Sequence, residues 1–297
     1  MLLQPKPTGV LIMPTLREKM KREMTLRGLA SSTQTKYLKA VIKLQNHFKR
    51  SPAQLSTEDI KSFLFSISSH SPISASTYNI IIHGLKFFYE IVLDKKMVAI
   101  NLPRKKEPQK LPDILSQAEV QRIIQATDNL KHKTILTLIY GAGLRASEAA
   151  SLRVKDIDNT RSVIHIRQGK GNKDRYVLLS PLMLNMLRCY WKECRLKHPI
   201  KKSENDFIFL GPSGTSFSAV SIAAMYRRAK QSAGITKQGG VHALRHAFAI
   251  HALESNADLY TIKQLLGHAS INSTVRYLRM TDKKLHMFKP PIEQLNL

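Results

Sequence analysis

Acidic residues are scarce in this chain. Its 297 residues hold 21 Asp and Glu against 47 Lys and Arg, a formal net charge of +26. No carboxylate cluster stands out, so a metal-built site has no obvious anchorage, and the basic excess points to a polyanionic partner, nucleic acid first. Cysteine is scarcer still. Cys189 and Cys194 are the only two, close together in a helix-like stretch without matching histidines. That spacing does not fit a zinc site, and a reduced, cytoplasmic setting is expected. No apolar run approaches the roughly 18 residues that a membrane span needs. The opening stretch offers only Val10, Leu11 and Ile12 among Pro5, Pro7 and Pro14, which does not read as a secretory signal. An internal repeat, a Walker-type loop, a dinucleotide fingerprint and a metalloprotease motif are also missing.

What is present describes two folded domains. Apolar residues make up 43% of the chain, enough to exclude a mainly disordered protein, and the length allows each domain its own core. The charge is not confined to a tail. Through Glu107 there are 18 basic and 7 acidic residues, and beyond it 29 and 14. Both parts are basic, as expected if both touch one backbone. On charge alone, a ribosomal or chromatin-type packing protein stays open.

Residues 1–100 read as a small helical domain. The stretch from Leu16 to Gly28 is basic and amphipathic. Ser31 and Ser32 can cap a helix whose stripe is Tyr37, Val41, Leu44 and Phe48. Ser56 to Asp59 resembles a capped start before Ile60, Phe63, Leu64 and Ile67. From Ser74 to Leu93 the helical stripe is Tyr78, Ile81, Ile82, Leu85, Phe88, Tyr89 and Val92. Aromatics at that spacing belong to a core before they belong to base stacking. Residues 101–112 carry three prolines among basic residues and form an extended linker.

The second domain, 113–297, opens on a capping box at Ser116 to Glu119. Gly141 and Gly143 end one helix sharply, which sets Arg145 at a turn entering the next helix, Ala146 to Leu152. A guanidinium and backbone donors can converge on an anion there; an ordinary surface pair with Glu148 is the plainer reading. Ile164 and Ile166 alternate with His165 and Arg167, and a β-hairpin across 156–180 would leave Lys170 at its glycine-rich tip. Helices are expected over Pro181–His198, Phe217–Ala233, His242–Glu254, Leu259–Leu266 and around Ser273–Leu278. The fold class is therefore mainly α with a small β-sheet.

The most informative stretch is Val241 to His246. A helix would put His242 and Arg245 on one face. His268 and Tyr277 follow downstream. Arg offers a fork matched to phosphate oxygens, His can move a proton near neutral pH, and Tyr can attack phosphorus. His246, His251, Tyr226, Tyr260 and Tyr89 read as packing or surface groups, and Glu148 as a buttress for Arg145.

Together, Gly141 to Glu148, Gly169 to Lys173, His242 to His246, Leu265 to His268 and Tyr277 resemble the tyrosine recombinase (phage-integrase) family, in its motif order and spacing. The resemblance spans the second domain, and the first is similar to the family's core-binding domain. It implies a site-specific recombinase that cuts and rejoins duplex DNA through a covalent 3′-phosphotyrosine, without metal, cofactor or ATP. Arg145 and Arg245 would grip the scissile phosphate, Lys170 would protonate the leaving 5′ oxygen, His242 and His268 would hydrogen-bond the phosphate and assist proton transfer, and Tyr277 would be the nucleophile. A free phenol ionises near pH 10, so the cationic surroundings are expected to lower that value or supply a base. The implied partner is a specific recombination site, held by a homotetramer. Ile250 departs from the threonine common in the family, and 20 residues follow Tyr277. That tail, 280–297, contains Leu285, Met287, Phe288, Ile292 and Leu295 around Pro290 and Pro291. It is expected to bend and pack on a neighbouring subunit. A non-enzymatic DNA-binding protein of the same fold is the rival reading.

Overall fold

The computed structural model describes residues 15–69, 73–95, 104–106, 113–167, 174–197, 203, 206–211, 214–268 and 270–278. Lys170, the tail 280–297 and most of the linker 101–112 lie outside the described residues. The chain divides into two compact units, Met1–Gln109 and Lys110–Leu297.

The first unit is a helical bundle: α1 (Leu16–Leu26), α2 (Ser31–Phe48), α3 (Thr57–Ser69) and α4 (Ala75–Phe87). Three of the four starts reflect local chemistry. Thr15 and Glu18 exchange a capping box at α1, Ser56 and Asp59 do the same before α3, and the Ser74 hydroxyl takes the Thr77 amide at α4. The exception is α2, where the expected cap by Ser31 or Ser32 is not made, because both serines lie inside the helix and Ala30 precedes it without a side-chain hydrogen bond. The expected helix from Ser74 to Leu93 is not uniform: its last turn, Phe88–Val92, is π-helical. That wider turn still buries Phe88, Tyr89 and Val92, and the Tyr89 hydroxyl donates to the Pro52 carbonyl at 2.7 Å. The aromatic stripe is core. A piece of the linker is also tied down, since Asn79 donates to and accepts from the Lys105 backbone, both at 3.0 Å.

The second unit contains α5 (Gln117–Gln125), α6 (Leu130–Gly141), α7 (Ala146–Ser151), α8 (Pro181–Lys197), α9 (Ala219–Ser232), α10 (His242–Glu254), α11 (Leu259–Leu266) and α12 (Asn272–Leu278). Between α7 and α8 lies a three-stranded antiparallel sheet in the order β1 (Ile157–Asp158), β2 (Val163–Ile166) and β3 (Arg175–Leu178). The expected hairpin is β2 with β3, in register Ile164 to Val177, and β1 is an additional short strand. Ile164, Ile166 and Val177 face inward. The centre of the unit is α6, whose Ile135, Leu136, Leu138 and Ile139 are buried on every side. Among the described residues no helix is long and apolar enough to cross a membrane.

Candidate active site

Helix α10 is apolar around most of its circumference. Ala243, Leu244, Ala247, Ala249, Ile250 and Leu253 are all buried, so it runs through the core rather than along the surface. Arg245 sits among them, only 1% exposed. A guanidinium tolerates this place because it is hydrogen-bonded. Nη1 donates to the Gly143 carbonyl at 2.6 Å and Nη2 to the Leu266 carbonyl. Its Nε finds no acceptor among the described residues. Burial, with repulsion from Arg145, pushes the group down to about 9.

Two glycines shape the carbonyls that Arg145 and Arg245 use. Gly143 has φ +61° and terminates α6, with the Leu144 amide returning to the Ile139 carbonyl at 3.1 Å. Gly267, at φ +59°, closes α11 in the same left-handed conformation, and its carbonyl lies 3.4 Å from Arg145 Nη2.

Arg145 is the N-cap of α7, as its place after Gly143 predicts. Its partner Glu148 is no surface decoration. The carboxylate is buried and takes Arg145 Nη1 at 2.6 Å on one oxygen and the Arg145 amide at 2.8 Å on the other. It also receives Arg175 Nη1 and Nη2, at 2.8 and 2.7 Å, and stands 3.6 Å from Arg245 Nη1. Burial alone would raise its pKa. The bonds from Arg175 and Arg145 outweigh that and hold it at about 2, so the carboxylate is charged at any physiological pH.

The imidazoles and the phenol occupy the remaining wall. His242, the first residue of α10, is exposed to the cleft. Thinned solvation, with Arg245 and Arg145 adding repulsion, still lowers its pKa. His246 lies one turn on, its ring edge-on to His242 with centroids 4.7 Å apart, and its Nδ1 is 2.9 Å from the Tyr277 hydroxyl. The His268 ring stacks on Tyr277 at 6.3 Å and 19°, while its Nδ1 pairs with the Thr274 hydroxyl at 2.8 Å. Burial first, then neighbouring positive charge, brings both His246 and His268 to about 4. Tyr277 is 2% exposed. Of the two expected alternatives, a lowered phenol is not found: burial raises the pKa and overrides the lowering by Arg245, Arg276 and Arg145.

Together Arg145, His242, Arg245, His246, His268 and Tyr277 line one open cleft of about 470 Å³, with Arg276 at its edge. A second cleft, about 570 Å³, also borders Glu148, but its Arg167 is neutralised by Asp156 at 2.6 Å. The first is the one where two guanidiniums that share a single carboxylate line the same cleft as a phenol hydroxyl. Such a surface suits one oxyanion held by guanidiniums while an oxygen nucleophile approaches.

Five of the six residues singled out in the sequence converge here; Lys170 lies outside the described residues. Two further residues escaped that reading. His246, taken for packing or surface, contacts Tyr277 directly, and its four-residue spacing from His242 is the signal that could have found it. Arg175 carried no local signal: its Nε reaches the Leu265 carbonyl at 2.8 Å across 90 positions. His251 does pack, against the Tyr140 hydroxyl at 2.9 Å.

Comparison with known proteins identifies relatives of the whole chain. The sequence pattern described as the phage integrase family matches residues 113–284, and that of a phage integrase N-terminal SAM-like domain matches 16–98. A Sinorhizobium fredii protein described as an integrase/recombinase, y4qK, is 39% identical over 97% of this chain and 92% of its own. Tyrosine recombinase XerD of Oceanobacillus iheyensis is 30% identical over 87% of this chain and 91% of its own. Among solved structures, XerH site-specific recombinase bound to its difH substrate superposes with a TM-score of 0.69. It is 22% identical and covers 92% of this chain and 83% of that one, a likeness of fold.

Proposed function

The chain belongs to the phage-integrase family of tyrosine recombinases, and from that premise we propose the following mechanism for its site. Tyr277 Oη attacks a scissile phosphorus in duplex DNA, forming a 3′-phosphotyrosine and releasing a 5′ hydroxyl. Arg145 and Arg245 hold the non-bridging oxygens and stabilise the charge that builds in the transition state. Lys170 protonates the leaving 5′ oxygen, and His242 and His268 hydrogen-bond the phosphate. The phosphotyrosine bond conserves the energy of the broken one, so a 5′ hydroxyl from another strand can reseal the DNA without a nucleotide. The protein cations supply the positive charge that a metal ion supplies elsewhere.

The observation that carries this reading is the convergence of two arginines and three histidines around one buried tyrosine. In this reading residues 1–100 form the core-binding domain, 101–112 a basic linker and 113–297 the catalytic domain, working on cytoplasmic DNA. Four copies assemble on paired sites, each tail 280–297 docked on its neighbour.

The test is a Tyr277→Phe variant incubated with a binding-site duplex selected in vitro with the wild-type chain, in EDTA and without nucleotide. Wild type should give SDS-resistant adducts and the variant none, with binding retained. Adducts from the variant would overturn the assignment. Truncation after Asp282 should keep single-site binding and abolish cooperative assembly; unchanged assembly would reduce the tail to a dispensable end.

A further inference from the structure

The cleft holds three imidazoles, yet the mechanism above gives none of them the phenolic proton. Geometry separates them. His268 has its Nδ1 engaged by Thr274 at 2.8 Å and presents a ring face to Tyr277. His242 stands edge-on to the ring of His246 and, among the described residues, makes no hydrogen bond to Tyr277. His246 Nδ1 alone among the described side chains hydrogen-bonds the Tyr277 hydroxyl, at 2.9 Å.

The direction of that bond follows from burial. Tyr277 is 2% exposed, so its O–H proton must meet an acceptor or lose its hydration uncompensated. Nδ1 is that acceptor when the ring carries its proton on Nε2. The reverse tautomer would donate to Oη and leave the phenolic proton without a partner.

We propose that His246 is the proton acceptor for the Tyr277 nucleophile, taking the phenolic proton on Nδ1 as Oη bonds to phosphorus and the bond to the 5′ oxygen breaks. The leaving 5′ oxygen takes its own proton from the general acid. In resealing, a 5′ hydroxyl gives that proton back and attacks phosphorus, and Tyr277 leaves with the proton returned by His246. The inference rests on the reading of Tyr277 as nucleophile.

Electrostatics fits the two stages. Burial together with His242, Arg276 and Arg245 keeps the imidazole neutral, at about 4, with its lone pair available. Burial also opposes ionisation of the phenol before attack, which favours loss of the proton as the new bond forms. A phosphate brings negative charge beside the ring, which raises its affinity for a proton at the moment one is offered.

The experiment follows single-turnover adduct formation by the full chain on a nicked duplex carrying the selected binding site. His246→Ala should lose on the order of 100-fold in rate or more while binding DNA as wild type does. Added imidazole should restore part of the rate, and the deficit should shrink as pH rises toward the ionisation of the phenol. The deficit should persist on a duplex with sulfur at the bridging 5′ position, because that leaving group needs no proton. His246→Gln keeps a hydrogen-bond acceptor but cannot take a proton, so it should fold normally and remain slow. It covers the case in which the alanine variant does not fold. A wild-type rate in His246→Gln, or a His246→Ala deficit that ignores pH and imidazole, would overturn the proposal in favour of simple support. Rescue of His246→Ala by the 5′ sulfur would overturn it by moving the residue to the leaving-group side. Adducts from Tyr277→Phe would instead remove the nucleophile assignment, whatever the His246 variants did.

Discussion

The carboxylate of Glu148 takes both terminal nitrogens of Arg175, at 2.8 and 2.7 Å, from a strand 27 positions further along the chain. The same two oxygens anchor Arg145 and face Arg245. Charges removed from water repay that cost only when geometry and hydrogen bonding are good, and here one acid serves three cations.

Glu148→Gln should therefore damage fold and site together. Removing one partner of a buried ion pair costs roughly 3–5 kcal/mol. The midpoint of urea unfolding should fall accordingly, and adduct formation should be lost. An unchanged midpoint would show that the three guanidiniums are held by other means.

Arg145 and Arg245 should separate under substitution. The Arg145 side chain keeps 19% exposure, so Arg145→Ala should fold and bind DNA while cleaving about 100- to 1000-fold more slowly, as when one transition-state donor is lost. Arg245→Ala leaves the Gly143 and Leu266 carbonyls unpaired in the core, at about 1–3 kcal/mol each. Its melting temperature should drop well below that of Arg145→Ala. Equal melting temperatures would contradict the buried role.

Gly143→Ala tests the turn between them. The residue sits at φ +61°, and an added Cβ would lie 2.5 Å from the Phe248 ring. Strain and overlap should cost more than about 1 kcal/mol and shift the carbonyl that holds Arg245. Gly234→Ala is the control: at φ +68° with nothing within 4 Å, it should be mildly destabilised and cleave normally.

Acid should destabilise the DNA-free protein in two stages. His246 and His268 titrate near 4 when folded, against an ordinary 6.5. Between those values the unfolded chain binds more protons, so stability falls as pH drops from about 6.5 toward 4. Glu148, at about 2 against an ordinary 4.5, stabilises above 4.5, and its contribution is lost as pH falls toward 2. Unfolding midpoints measured across this range should show both slopes, and His246→Gln with His268→Gln should flatten only the upper one.

Salt should weaken DNA binding steeply. Each phosphate neutralised contributes roughly −0.9 to the slope of log K against log salt, and both units of this chain are basic. A nearly flat titration would mean that the charge does not clamp a duplex.

Much of this is legible in the amino-acid sequence. Helical spacing fixed α10 and α11, and two glycines around Ala142 located the turn at Arg145. Hydrophobic alternation found β2. Two things were not legible. The burial of Arg175 depends on where β3 meets α11, and a strand's two-residue period says which face a side chain takes, not what waits there. The phenol's raised pKa likewise follows from how deeply α12 is packed, and seven helical residues do not encode their own depth. His246, which reads as a packing or surface group, was within reach, since its spacing from His242 puts it on the cleft face.

One carboxylate under three guanidiniums has a further consequence, for inheritance. A lineage that lost Glu148 would be left with three mutually repelling cations and no compensating change at a single position to restore them. Replacing any one arginine would disturb the acid on which the other two depend. Versions that lack Glu148 or Arg245 therefore lose stability along with cleavage. Descendants should keep all four residues together, or lose them together once cleavage is no longer under selection.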